Sequence, residues 1–125
     1  MRTALITGGT DGIGKATARK LLLEGWKVVI IGRSSNKCDA TVSYLKTISK
    51  EISAIVCDLS ELSDVKIAVD TFLNEKKSFD VLLSNANAIA SERILTPEGN
   101  EQNFALGYLS RILMINRLLP ILNQA

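Results

Sequence analysis

Apolar residues fall along this chain in two rhythms, and their alternation lays out the elements. Ala4-Leu5-Ile6 is an unbroken apolar run that glycines follow at once, the mark of a strand buried on both faces. Residues 13–24 favour a helix, with Ala16, Ala18, Leu21, Leu22 and Leu23, and Gly25 stands where a left-handed C-terminal cap would sit. Val28-Val29-Ile30-Ile31 is β-branched throughout and predicts a second buried strand. Residues 32–36 form a polar turn, from which Ser35 or Asn36 is placed to cap a helix running towards Ser49. Val42, Leu45 and Ile48 would be its inner face. Residues 53–57 predict a third strand. Ser60 is the expected N-cap of the next helix, with Glu61 and Asp64 in its first turn and Leu62, Val65, Val69 and Phe72 or Leu73 recurring at helical spacing. Val81-Leu82-Leu83 predicts a fourth strand. A loop with Pro97 and Gly99 then leads into a long apolar helix over residues 101–122, which Pro120 would limit.

The order β-α-β-α-β-α-β-α, without break or repeat, predicts an α/β fold: a Rossmann-type parallel sheet with helices on both faces. The strand order expected is 3-2-1-4, which leaves the fourth strand at an edge. No Pro/Gly/Ser-rich linker divides the chain, so residues 1–125 read as one domain. A complete doubly wound fold has about six strands, so four suggest part of one.

Composition narrows the function. A hydrophobic share of 46% against 22% charged residues excludes disorder as the main state. A net charge of +2 with no basic stripe argues against a nucleic-acid partner. The chain has no His, which excludes a Ser-His-Asp or Cys-His catalytic set and any His-ligated metal. Two cysteines are too few for a disulfide scaffold; Cys57, at a strand end, reads as core, and Cys38 falls in the polar turn, where exposure is expected. Trp26 reads as a packing residue. Nothing near Met1 resembles a secretory signal. The most apolar stretch, residues 112–122, is preceded by Arg111, interrupted by Arg117 and shorter than the ~20 residues a membrane span needs. It reads as a buried or interface helix, and the expected location is cytoplasmic, away from membranes.

The loop Thr7-Gly8-Gly9-Thr10-Asp11-Gly12-Ile13-Gly14 joins the first strand to the first helix. Gly8 permits the turn off the strand, Gly12 leaves room for a pyrophosphate, and Gly14 lets the helix pack closely on the sheet. The helix N-terminus would offer N–H groups and a positive dipole end to phosphates. Thr10, Asp11 and Ile13 complete the candidate phosphate side. Dinucleotide sites selective for NAD carry an acid about twenty residues on. Here Gly32, Arg33 and Ser34 stand at that place, and none is acidic. Arg33 is placed to face a 2′-phosphate, with Ser34 or Lys37 assisting, so NADP is favoured over NAD. Asp11 opposes that preference by adding negative charge to the loop.

Four motifs, taken in order from Thr3 to Pro120, resemble the short-chain dehydrogenase/reductase family. They are Thr7-Gly8-x-x-x-Gly12-Ile13-Gly14, Asp58-Leu59, Ser84-Asn85-Ala86-Asn87, and the segment from Phe104-Ala105-Leu106-Gly107-Tyr108-Leu109 to Leu118-Leu119-Pro120. The last is most similar to the retinol-dehydrogenase-like and protochlorophyllide-reductase-like branches. The resemblance implies that Asp58 and Leu59 contact the adenine, and Asn85 and Ala86 the adjoining ribose side. It implies an NADP-dependent oxidoreductase acting on a small carbonyl or alcohol, with this chain supplying the cofactor-binding half and the last helix in a homo-oligomer interface. Three positions depart from the family: Ser84 for Asn, Asn87 for Gly, whose turn Asn can still adopt, and Gly107 for the Asn that helps hold a relay water. The family's catalytic Ser and Tyr-x-x-x-Lys pair are not matched. Tyr44 is followed at that spacing by Ile48 and Tyr108 by Ile112, so no residue here is a candidate acid. The chain accordingly reads as a fragment expected to be poorly soluble or oligomeric alone. The alternative is a non-catalytic dinucleotide-binding module or decayed paralogue.

Overall fold

The computed structural model describes residues 1–75, 78–86 and 92–122. Four apolar runs form parallel strands β1 (Thr3–Thr7), β2 (Lys27–Gly32), β3 (Ile52–Val56) and β4 (Val81–Ser84), in the expected order β3-β2-β1-β4. All of β1 and Val28 to Gly32 of β2 are buried, because helices cover both faces at the sheet centre. Alternate side chains divide between two cores. Leu5, Val29 and Ile31 join Val65, Val69 and Phe72 of α3 (Leu62–Glu75) on one face. On the other, Ala4, Ile6, Val28 and Ile30 pack against Ala18 and Leu22 of α1 (Gly12–Leu23) and Leu45 of α2 (Ser35–Lys46). Trp26 packs against this second core, as expected, with the Arg2 guanidinium over its ring.

The helix ends differ from expectation in instructive ways. Gly25 does close α1 in the left-handed region, at φ 87°. The cap of α2 is Ser34, whose Oγ accepts from the Lys37 N–H at 3.2 Å, rather than Ser35 or Asn36. With α2 beginning earlier, Cys38 falls on its inner face beside Thr41 and Leu45 and is buried, contrary to the exposed turn position expected. Ser60 does not cap α3. It is buried, and its N–H and hydroxyl both donate to Asp58 Oδ1. The first N–H groups of α3, on Leu62 and Ser63, donate instead to the Glu98 carboxylate, more than thirty residues away in sequence.

The last helix is not the single α-helix expected. It comprises α4 (Gln102–Phe104), a π turn (Ala105–Leu109), α5 (Ser110–Leu118) and a 3-10 turn (Leu119–Ile121) containing Pro120. Glu101 begins it, its carboxylate accepting from Asn103 and Phe104 N–H. Gly107 sits in the π turn. Ser110 Oγ donates to the Leu106 carbonyl at 2.6 Å, which satisfies a group that the wider turn releases. By length and composition alone, residues 102–121 form a helix able to cross a membrane. Its inner face, with Met114 and Leu118, is built into the first core. Phe104, Tyr108, Ile112, Ile115 and Leu119 face outward and are exposed. Among the described residues β4 pairs with β1 alone, and a cleft of about 370 Å3 lies between Val81 and Leu119.

Candidate functional site

A cavity of about 460 Å3 opens at the C-terminal ends of β1, β2 and β4, where α1 begins. Glycines shape its floor. Gly8 turns off β1 at φ 67°, and a Cβ there would come within 2.9 Å of Ala86 Cα. A Cβ on Gly14 would lie 2.1 Å from the Gly8 carbonyl oxygen, so α1 crosses the loop at a distance only glycine permits. Gly9, to which sequence reading gave no role, packs on Ile30, and Gly32 is wedged between Thr10 and the Cys38 sulfur. Gly12 is different: at φ 51° its missing Cβ would meet nothing within 4 Å, and the residue faces the cavity.

The start of α1 is chemically open. Asp11 occupies the N-cap position in an extended conformation but makes no cap hydrogen bond. Its carboxylate turns to the Lys37 ammonium at 3.2 Å. The first N–H groups of α1 are thus without a side-chain acceptor where the helix meets the cavity, an arrangement that favours an anion.

Three strand ends supply the walls. After β2, Arg33 lines the cavity, is exposed, and forms no hydrogen bond or ion pair among the described residues. After β3, Asp58 and Leu59 line it, and the Asp58 carboxylate is held by the Ser60 N–H at 3.0 Å and hydroxyl at 2.7 Å. After β4, the Asn85 and Ala86 N–H groups both donate to Thr7 Oγ1 at 3.0 Å, and Asn85 Nδ2 donates to the Gly8 carbonyl at 3.3 Å. Arg111 Nη2, from α5, donates to the Ala86 carbonyl at 3.1 Å.

Most of the residues singled out from sequence meet in this cavity: Gly8, Thr10, Asp11, Gly12, Ile13, Arg33, Asp58, Leu59, Asn85 and Ala86. Gly14 and Ser34 do not line it; Gly14 serves helix packing, and Ser34 caps α2. Lys37 does not line it either, being paired with Asp11. Asn87 lies outside the described residues. Sequence reading missed Gln102 and Leu106, which line the cavity because the π turn brings this part of the helix over it. It also missed Thr7 and Arg111 as ties to the β4 end.

Neither tyrosine lines the cavity. Tyr108 stacks on Phe104, and Tyr44 lies under the Lys15 ammonium. Both thiols are buried: burial, then Asp64 and Asp58, push Cys57 up to about 12, and burial, then Asp39, raises Cys38, which disfavours the thiolate. Loss of solvent and then the neighbouring Glu98, Asp58 and Asp64 carboxylates raise Glu61. Among the described residues no group of three or more acidic or thiol side chains is placed to hold a metal ion. The arrangement can hold a long polyanion, with helix N–H groups at its middle and a free guanidinium at one side.

Known proteins share this design. A family model described as short chain dehydrogenase matches residues 2–125. Human polyprenol dehydrogenase is 35% identical over 99% of this chain, which spans 38% of that protein. Among solved structures, the complex of Pseudomonas aeruginosa RhlG with NADP is 31% identical, with a TM-score of 0.80 over 96% of this chain and 47% of that one. A 3-ketoacyl-(acyl-carrier-protein) reductase from Brucella melitensis, complexed with NADH, is 27% identical, with a TM-score of 0.77 over 96% of this chain and 49% of that one. The chain therefore spans half or less of these relatives.

Proposed function

This chain belongs to the short-chain dehydrogenase family, and from that premise we propose that its cavity is the NADP site of an oxidoreductase acting on a small carbonyl or alcohol. Bound there, the nicotinamide would supply the hydride chemistry. The chain's own residues bind and orient. The open N-terminus of α1, with Gly8, Thr10, Gly12 and Ile13 beside it, would hold the pyrophosphate. Asp58 and Leu59 would meet the adenine, and Asn85 and Ala86 the ribose side.

One observation carries the choice of NADP: Arg33 stands at the cavity wall with its guanidinium unpaired. Likeness alone leaves the choice open, since one solved relative holds NADP and another NADH. A free guanidinium matches a 2′-phosphate, and no carboxylate stands there to receive a 2′-hydroxyl. Calorimetric titration with NADPH and NADH tests this. NADPH is expected to bind at least tenfold tighter, and Arg33→Ala to remove most of the difference; equal or tighter NADH binding would overturn the reading.

A second reading is a dinucleotide-binding module without catalysis. It is favoured by Gly107 in the π turn and by a cavity without a tyrosine or lysine in its lining. Cofactor binding without turnover by the full-length protein would select it. The exposed row from Phe104 to Leu119 supports a homo-oligomer. A cytoplasmic location and the absence of nucleic-acid and membrane partners belong to the same proposal.

A further inference from the structure

Arg111 leaves the first turn of α5 half-buried, and its nitrogens fare differently. Nη2 donates to the Ala86 carbonyl. Nε is buried and has no hydrogen-bond partner among the described residues. Beside it lies a small cavity of about 10 Å3, walled in part by Thr7, Ser84 and Ser110, which is near the size of one water. The ion pairs among the described residues join Lys20 to Glu24, Lys27 to Glu51, Lys37 to Asp11 and Arg117 to Asp70, and none reaches Arg111. A guanidinium stays protonated at any ordinary pH. Among the described residues, a full positive charge is therefore held without an ion-pair partner behind the β4 end of the large cavity. Burying such a charge is unfavourable, and an apolar side chain would pack there at lower cost.

The location gives the charge a target. In a doubly wound sheet, the two halves of a dinucleotide lie on either side of the point where strand order reverses. Here that point is β1, flanked by β2 and β4. Arg33 follows β2, on the side where a 2′-phosphate is expected. Arg111 grips Ala86, past the end of β4 on the other side, where a dinucleotide running on from the ribose that Asn85 and Ala86 would contact turns towards its nicotinamide half.

We propose that Arg111 poises the redox state of the bound cofactor: its uncompensated charge disfavours the cationic oxidised ring against the neutral reduced ring. The cavity then holds NADPH in preference to NADP+ and is biased towards reducing a carbonyl. This rests on the dinucleotide reading of the cavity. Arg111 acts through its field and through Ala86 and touches no reacting atom, so it is a positioning residue. At an effective dielectric near 20, a unit charge about 12 Å from the ring would change the ratio of the two affinities by about tenfold. That ratio corresponds to about 30 mV in the potential of a bound two-electron couple.

The test is equilibrium titration of the full chain with NADPH and with NADP+, for the wild type, Arg111→Gln and Arg111→Lys. The wild type is expected to bind NADPH at least several-fold tighter. Arg111→Gln, which keeps a donor for the Ala86 carbonyl and loses the charge, should lower that ratio about tenfold. Arg111→Lys, which keeps the charge, should leave it within twofold. Equal weakening of both forms in Arg111→Gln would reduce Arg111 to a structural tie and overturn the proposal. So would a ratio that falls equally in both variants. A wild-type ratio at or below one overturns it with no variant needed. A wild type that binds neither form would instead overturn the dinucleotide reading itself.

Discussion

The two ends of the cavity are built by different means. At the β1–α1 loop, the shape comes from absent side chains: Gly14 beneath α1, Gly9 on Ile30, and Gly12 open to the cavity. At the β4 end, it comes from side chains that reach across the chain: Thr7 holds Asn85 and Ala86, and Arg111 holds Ala86 from α5. The first end is specified by residues within one short stretch. The second depends on partners 25 to 79 positions apart. A local design is hard to weaken by degrees, because a Cβ added at Gly8 or Gly14 collides with backbone. A distributed design can lose one tie and keep the rest.

Three substitutions would break or sharpen that contrast. Gly14→Ala should have the largest effect. Its Cβ has to displace the Gly8 carbonyl, so we expect a loss of about 3 kcal/mol in urea unfolding, despite the better helix propensity of Ala, and loss of NADPH binding. A stability change under about 0.5 kcal/mol would show that the loop yields easily and would erase the contrast. Thr7→Val comes next. It keeps the shape of the side chain, strands the Ala86 N–H and leaves the Asn85 N–H only its bond to the Leu83 carbonyl, so a loss of about 2 kcal/mol is expected. Hydrogen exchange should speed at Asn85 and Ala86 while the amides of α1 keep their protection. Equal loss of protection at both ends would show that the cavity opens as one unit. Asp11→Asn should be the smallest. The Asp11–Lys37 pair is exposed, so stability should change by less than about 0.5 kcal/mol. Removing the negative charge and freeing Lys37 should tighten NADPH binding about threefold at low salt and hardly at all at 1 M salt. An unchanged affinity at low salt would remove both residues from the electrostatics of the site.

The same contrast explains what could be read from the sequence. The strands, their order and the glycine loop follow from short-range patterns: β-branched runs, a glycine after an apolar stretch, helical spacing behind it. Arg33, Asp58, Asn85 and Ala86 were legible because each stands directly after a strand, and parallel strands deliver their C-terminal ends to one edge. The cap of α3 was not legible, since Ser60 has the right local chemistry and only the folded chain brings Glu98 to Leu62 and Ser63. The π turn was equally hidden. Apolar spacing over residues 101–122 fits an α-helix, and nothing in that spacing marks the π turn, in which the Ser110 hydroxyl donates to the Leu106 carbonyl. Cys38 was misplaced for a local reason: it was read as part of the turn, whereas α2 starts at Ser35 and carries it two turns before Leu45 on the same buried face.

The Thr7 hydroxyl also sets an order of events. β1 is made before β2, β3 and β4, and β2 can pair with it early. Its other edge waits for β4, and Asn85 reaches Thr7 only when a loop of 78 residues has closed. Closure over that separation is slow compared with forming the local β1–α1–β2 unit. β1 is therefore made before its neighbours and paired on both sides only once β4 has arrived. During synthesis, the phosphate-binding loop can exist before the cavity does, with one edge of β1 open to wrong partners until the chain has passed Ala86.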